Sequence, residues 1–311
     1  MDHELKNLHV EFLEDLEIGQ GRAAKTIENY DHYLQRFYAK QKIEKVEDIT
    51  MDSVRDFRRH LNQEGLSLVT QNYHLIALRQ MLKFLAKRDV AAMAPEKIGL
   101  PKLAEREIDV LYAEEVEGLL KAPEGGSLSI KRDRAILHTL FSTGLRISEM
   151  VKLDRDDIRD GYSEIAVRGK GNKVRVVFLS DEARVVLDSY IESRQDIDPA
   201  LFIRHKKGAV GPKDDLRITP RSVQRLIKKY AAAAGLTKDI TPHTLRHSFA
   251  TDLLSNGADV RQVQQLLGHA SITTTQIYTH LTDAHLQDVH MRFHRKRKVP
   301  ASPTATEEEE N

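Results

Sequence analysis

The chain has 311 residues, 31% charged and 40% hydrophobic, with no cysteine and a formal net charge of +1. That length suffices for two ordinary cores, the balance of charge and apolarity excludes a disordered chain, and the missing cysteine excludes a disulfide framework, a thiol nucleophile and a thiolate metal site. The start, Met1-Asp-His-Glu-Leu-Lys6, lacks the basic flank and apolar core of a signal peptide and no apolar run reaches membrane-spanning length, so a cytoplasmic protein with no membrane partner is expected.

The first hundred residues read as helices only. Leu5, Leu8, Val10, Phe12, Leu13 and Leu16 recur at helical spacing over 3–17, and Gly19-Gln-Gly21 stops that helix. Thr26 is the expected cap of a second helix bearing Tyr30, Leu34 and Phe37. Asp48 to Leu61 is a third, with Val54, Phe57 and Leu61 apolar. Ser67 to Leu85 is the fourth, with Tyr73, Leu75, Ile76, Leu78, Met81, Leu82 and Leu85. No segment alternates with the period of a strand, so residues 1–94 are expected to form a helical bundle. Two prolines and Gly99 mark 95–107 as the linker.

The second domain, 108–298, is expected to be mixed. Helices enter after Tyr112 and over 130–142, and Gly144 closes the second. Leu145-Arg146-Ile-Ser-Glu149 opens another at once, with Arg146 and Glu149 one turn apart. Val- and Ile-rich stretches at 163–167 and 174–179 flank Gly169-Lys170-Gly171-Asn172 and predict a β-hairpin with Lys170 at its tip. Helices follow over 181–194, 220–234, 242–256, 260–268, 272–279 and 281–294. Pro242 suits a first helical turn, Leu245, Phe249 and Leu253 form an apolar stripe, and His243 and Arg246 share a face. Gly268 puts His269 on a turn, with Tyr278 on the helix beyond.

Charge is unevenly spread. Residues 1–104 carry 16 basic and 16 acidic side chains, residues 105–298 carry 32 and 27, and 299–311, expected to be a disordered acidic tail, carries four Glu. Between Arg204 and Lys229, Lys206, Lys207, Lys213, Arg217, Arg221, Arg225 and Lys228 face only Asp214 and Asp215, a cluster suited to a phosphate backbone.

Thr143-Gly-Leu-Arg146-Ile-Ser-Glu149, the Gly169-Lys170-Gly171 hairpin, His243-x-x-Arg246-His247, Leu267-Gly268-His269 and Thr275-x-x-Tyr278, in this order, resemble the tyrosine recombinase/integrase family, and most closely its Xer-type members. The resemblance covers nearly the whole chain. It departs at Phe178, where many members have proline, and in the longer acidic tail. It implies a mainly α, two-domain fold: an N-terminal helical bundle that is a SAM-like core-binding domain, and a C-terminal α+β catalytic domain with a small antiparallel sheet.

The resemblance further implies transesterification at a DNA phosphodiester with no metal and no other cofactor. Arg146 and Arg246 would bind the non-bridging oxygens as charge develops, Tyr278 would be the nucleophile and His243 its general base. Lys170 would protonate the leaving 5′-oxygen, His269 would donate to the phosphate, and Glu149 would support the site. The implied partner is a double-stranded DNA recombination site, bound by a homo-tetramer or by a hetero-tetramer with a paralogue, with a DNA translocase as a further activator and the nucleoid as the place of action. Resolution of chromosome or plasmid multimers is the expected role, and integration or excision of a mobile element the alternative. The expectation that no arm-binding domain precedes residue 3 favours the former.

Two competing classes use the same residues. His243 and His247 have the i, i+4 spacing of a zinc-binding helix, with His269 as a third ligand, but Thr244 stands where a zincin has its glutamate. A DNA-binding protein without turnover would not need every catalytic position filled.

Overall fold

The structure, a computed structural model, describes residues 1–101, 103, 109–158, 164–169, 174–205 and 216–268. Lys170, His269 and Tyr278, the helices expected over 272–279 and 281–294, Lys206, Lys207, Lys213 and the acidic tail lie outside the described residues. The chain divides into two compact units, Met1–Arg106 and Glu107–Asn311.

The first unit is built from α1 (His3–Glu14, extended by a π turn over Asp15–Gly19), α2 (Ala24–Gln41), α3 (Met51–Gln63) and α4 (Leu68–Lys87). Leu5, Phe12, Leu16, Leu34, Phe37, Phe57, Leu61, Leu75, Met81 and Leu85 are buried in one core. Three residues of the expected stripes lie outside it, Val10 being 54% and Tyr73 51% exposed and Ile76 half-buried. Tyr73 stacks instead on Tyr33, with ring planes 7° apart.

Helix starts also differ from expectation. Helix α2 begins before Thr26, from Ala23, with no side-chain cap. Asp48 belongs to a 3-10 turn that precedes α3 and accepts the Glu44 and Lys45 N–H groups, and Thr50 caps α3 by accepting from Ser53 N at 3.2 Å. Ser67 caps α4 in the same way. The beginning of the segment read as a linker is packed on this unit. Pro95–Lys97 forms a 3-10 turn, Ile98 enters the core, Asn72 Nδ2 donates to Pro101 O at 3.2 Å, and Arg58 donates to Gly99 O. The apolar Ile98 outweighs the flanking prolines and glycine because its burial anchors the whole turn.

In the second unit α5 (Ala113–Lys121), α6 (Leu128–Thr143), α8 (Asp181–Glu192), α9 (Pro220–Ala233) and α10 (Pro242–Ser255) surround a core that includes Leu119, Ile136, Leu140, Leu187, Tyr190, Phe202, Val223, Ile227 and Leu245. Helix α7 (Ile147–Met150) is a single turn and α11 (Val260–Leu267) a short helix. Ser127, Ser180, Thr219, Thr241 and Asp259 cap their helices with side-chain oxygens, each contributing about 1 kcal/mol. On α10 the stripe is broader than the spacing predicts. Leu245, Ala250 and Leu254 are buried apolar positions, while Phe249 and Leu253 are half-buried against the cluster shared with Val263 and Leu267 of α11.

The sheet is one antiparallel hairpin, β1 (Glu164–Arg168) and β2 (Val174–Phe178), pairing Ile165 with Val177 and Val167 with Arg175. Ile165, Val167 and Val177 face the core, whereas Val174, Val176 and Phe178 are 60%, 43% and 48% exposed. The inner face of β2 therefore carries Arg175 beside Val177.

Candidate active site

Four short elements meet at the C-terminal end of α11. Helix α6 ends at Gly144 in the left-handed conformation, φ 59°, and the chain turns directly into α7 with Arg146 as the residue preceding it. Glu149 closes that single turn, its Oε2 accepting the Arg146 backbone N–H at 2.9 Å and its Oε1 accepting Arg146 Nη1 at 3.0 Å. The spacing of Arg146 and Glu149 thus makes both the helix start and the ion pair.

Glu149 is buried, its side chain only 6% exposed, and it holds a second cation. Arg175 Nη1 donates to Oε1 at 3.0 Å and Nη2 to Oε2 at 2.8 Å, a two-pronged contact. Burial pushes the Glu149 carboxyl upward, but hydrogen bonds from Arg175 and the Arg146 N–H, with both positive charges, outweigh it and bring the group to about 2.

The last turn of α11 leaves backbone carbonyls without helical partners, and arginines occupy them in succession. Arg175 Nε donates to Leu266 O at 3.1 Å, Arg246 Nη2 to Leu267 O at 2.5 Å, and Arg146 Nη2 reaches Gly268 O at 3.5 Å. Arg246 Nη1 also donates to Gly144 O at 2.5 Å, so this buried guanidinium ties the end of α6 to the end of α11. The negative end of the α11 dipole faces these cations. Gly268 itself has φ 64° and caps α11, and His269 is the next residue in the sequence.

His243 lies in the first turn of α10, after Pro242 and the Thr241 cap. Although His243 is an exposed position of the helix, partial desolvation by its surroundings, then the charges of Arg246 and Arg146, depress its imidazole below the ordinary value, which makes it neutral at pH 7 and able to accept a proton. His247 sits one turn on, ring centroids 6.5 Å apart, and burial with the charges of His243 and Arg246 brings it down to about 4.

Of the residues read from the sequence, Arg146, Glu149, His243 and Arg246 are therefore gathered at one place, while Lys170, His269 and Tyr278 lie outside the described residues. Arg175 was not foreseen. Its only advance signal is a charged residue in register with Val177 on a strand whose other face is also apolar. Within the basic cluster, Arg221, Arg225 and Lys228 form an exposed stripe on α9, while Arg217 is turned inward, with Nη1 3.0 Å from both Val151 O and Leu153 O. Among the described residues no helix is long and apolar enough to cross a membrane.

The model of the phage integrase family matches residues 109–285, and that of the phage integrase N-terminal SAM-like domain matches residues 10–89. Tyrosine recombinase XerD of Oceanobacillus iheyensis is 35% identical over 296 residues, covering 91% of this chain and 97% of the relative. Tyrosine recombinase XerC of Listeria monocytogenes is 35% identical over 299 residues, covering 92% and 97%. The crystal structure of XerA recombinase aligns with a TM-score of 0.51 and 29% identity over 94% of this chain and 99% of that one.

Proposed function

This chain belongs to the phage integrase family, as a Xer-type tyrosine recombinase, and on that footing we propose that it cuts and rejoins DNA at specific sites through a 3′-phosphotyrosyl intermediate. The observation that carries the reading is the meeting of Arg146 with Arg246 and His243, from two motifs about a hundred residues apart, at the end of α11, after which the sequence continues into His269 and Tyr278.

Paired guanidiniums offer N–H donors to the two non-bridging oxygens of one phosphate and stabilise the charge that grows there in the transition state. A free phenol ionises at about 10, so Tyr278 needs a base, and a neutral His243 beside two cations accepts its proton. The Tyr278 oxygen bonds to phosphorus, the bond to the 5′-oxygen breaks, and Lys170 protonates that leaving oxygen, with His269 donating to the phosphate. Attack of a 5′-hydroxyl from a partner duplex reverses these steps and restores a phosphodiester. The bond energy is stored in the phosphotyrosyl ester, so neither ATP nor a metal enters the balance.

Strand exchange between two duplexes calls for a tetramer, made of this chain alone or with a paralogue. Bounds of 1–94 for the DNA-clamping bundle and 108–298 for the catalytic domain, action on the cytoplasmic nucleoid, and resolution of chromosome or plasmid multimers complete the reading.

The test is a nicked suicide duplex carrying a candidate site. A covalent adduct should form with and without EDTA, map by peptide sequencing to Tyr278, and vanish in Tyr278→Phe. An adduct at another residue, or strand cleavage that requires added metal, overturns the reading.

A further inference from the structure

Arg175 uses three of its donors on two different elements: both terminal nitrogens on Glu149, and Nε on Leu266 O. Its side chain is 12% exposed and that of Glu149 6%, whereas Arg146 is 32% exposed. The order of exposure makes Arg146 the outward cation and Arg175 the inward one. Glu149 alone would neutralise Arg146, leaving only Arg246 as an uncompensated cation for the phosphate; a second arginine on the same carboxylate keeps the group of three at a net single positive charge. It also occupies the carboxylate oxygens on the inner side, so Glu149 cannot rotate and take Arg146 with it.

We propose that Arg175 is a positioning residue for strand cleavage, which holds the Glu149 carboxylate to the end of α11 so that Arg146 keeps both its orientation and its unspent charge for the scissile phosphate. This rests on the reading of Arg146 as a phosphate ligand given above. Packing alone does not account for an arginine here. Ile165 and Val177 already join the hairpin to the core, and the space along Arg175 is tight, since a Cβ on Gly268 would lie 3.0 Å from Arg175 Cδ.

The experiment compares single-turnover cleavage of a nicked suicide duplex with that of the same duplex carrying a neutral methylphosphonate at the scissile position. Arg175→Met should lower the maximal rate on the phosphate roughly 100-fold, with the half-saturating DNA concentration unchanged within about 2-fold. On the methylphosphonate, where no charge needs neutralising, it should come within about 3-fold of the unsubstituted protein. Arg175→Lys, which keeps the charge but not the fork, should restore most of the loss on the phosphate, and Arg175→Gln, which removes the charge but stays polar, carries the comparison between the two substrates if thermal melting shows Arg175→Met unfolded. Equal losses on both substrates, or no loss on either, overturn the proposal. Arg146→Ala is run alongside: full activity of that variant on the phosphate would instead overturn the reading of Arg146 itself, whatever Arg175 does.

Discussion

Gly144 and Phe249 approach so closely that a Cβ on residue 144 would lie 2.4 Å from Phe249 Cδ1, and 3.0 Å from Leu267 Cδ2. The same glycine has φ 59° and offers its carbonyl to Arg246, so three demands fall on one position: a left-handed turn, contact with α10, and an acceptor for the buried cation. Gly144→Ala should cost about 1–2 kcal/mol for the backbone and about 1–3 kcal/mol for overpacking. Urea unfolding measures the sum. Cleavage should fall further than stability does, because displacement of the Gly144 carbonyl moves Arg246. A variant as stable as the parent would refute this account of the turn.

Glu149 supplies an acid-side test. Its carboxyl is held at about 2 against an ordinary 4.5, so it is ionised in the folded state where the unfolded chain has taken up a proton. The stabilisation from this shift is complete above pH 4.5 and is lost as the pH falls toward 2, a change of about 3 kcal/mol. Glu149→Gln should flatten the dependence of unfolding free energy on pH in that window. The slope is the quantity to compare, because the substitution also removes the ion pairs to Arg146 and Arg175 at every pH. An unchanged slope would mean that the two arginines do not hold the carboxylate as described.

Much of the site was legible in the sequence because it sits at helix entries with fixed offsets. Arg146 and Glu149 begin α7, and His243 and Arg246 begin α10, where capping residues and Pro242 mark the start. Arg175 was not legible, since in Val174-Arg-Val-Val-Phe178 both faces of the strand carry apolar residues and alternation does not say which is inside. Only the pairing of Ile165 with Val177 settles the register, and that is a contact between strands. Ile98 was hidden for a related reason: Pro95, Gly99 and Pro101 read as open chain, yet Ile98 enters the core and Leu100 packs against it. The exposure of Tyr73 was likewise invisible, because its stacking partner Tyr33 lies on another helix.

His247 should set the pH dependence of stability between the two windows usually assigned to carboxylates and histidines. Its ring is brought to about 4 by burial and then by the His243 and Arg246 charges, so the folded protein leaves it neutral while the unfolded chain protonates it below its ordinary 6.5. More protons bound by the unfolded state means that stability rises with pH. The penalty is therefore absent above pH 6.5, grows as the pH falls, and levels off near 4. In His247→Gln the unfolding free energy should lose this part of its slope. A slope identical to that of the parent across pH 4–6.5 would exclude His247 as the source.

His243 should show the same direction of shift with a different consequence, because it lies in the reaction path proposed for Tyr278. Partial desolvation, Arg246 and Arg146 all lower its imidazole, which keeps the base form available at neutrality. In the DNA-free protein, NMR titration of the His243 ring should give a midpoint below the ordinary 6.5, and the cleavage rate should fall on the acid side as that ring takes up its proton. Arg146→Gln removes one of the depressing charges and should move the NMR midpoint up toward 6.5, independently of whatever it does to cleavage. The titration is decisive because it reads the ring directly. A midpoint at or above 6.5 in the unsubstituted protein would deny His243 the electrostatic environment on which its role as base depends.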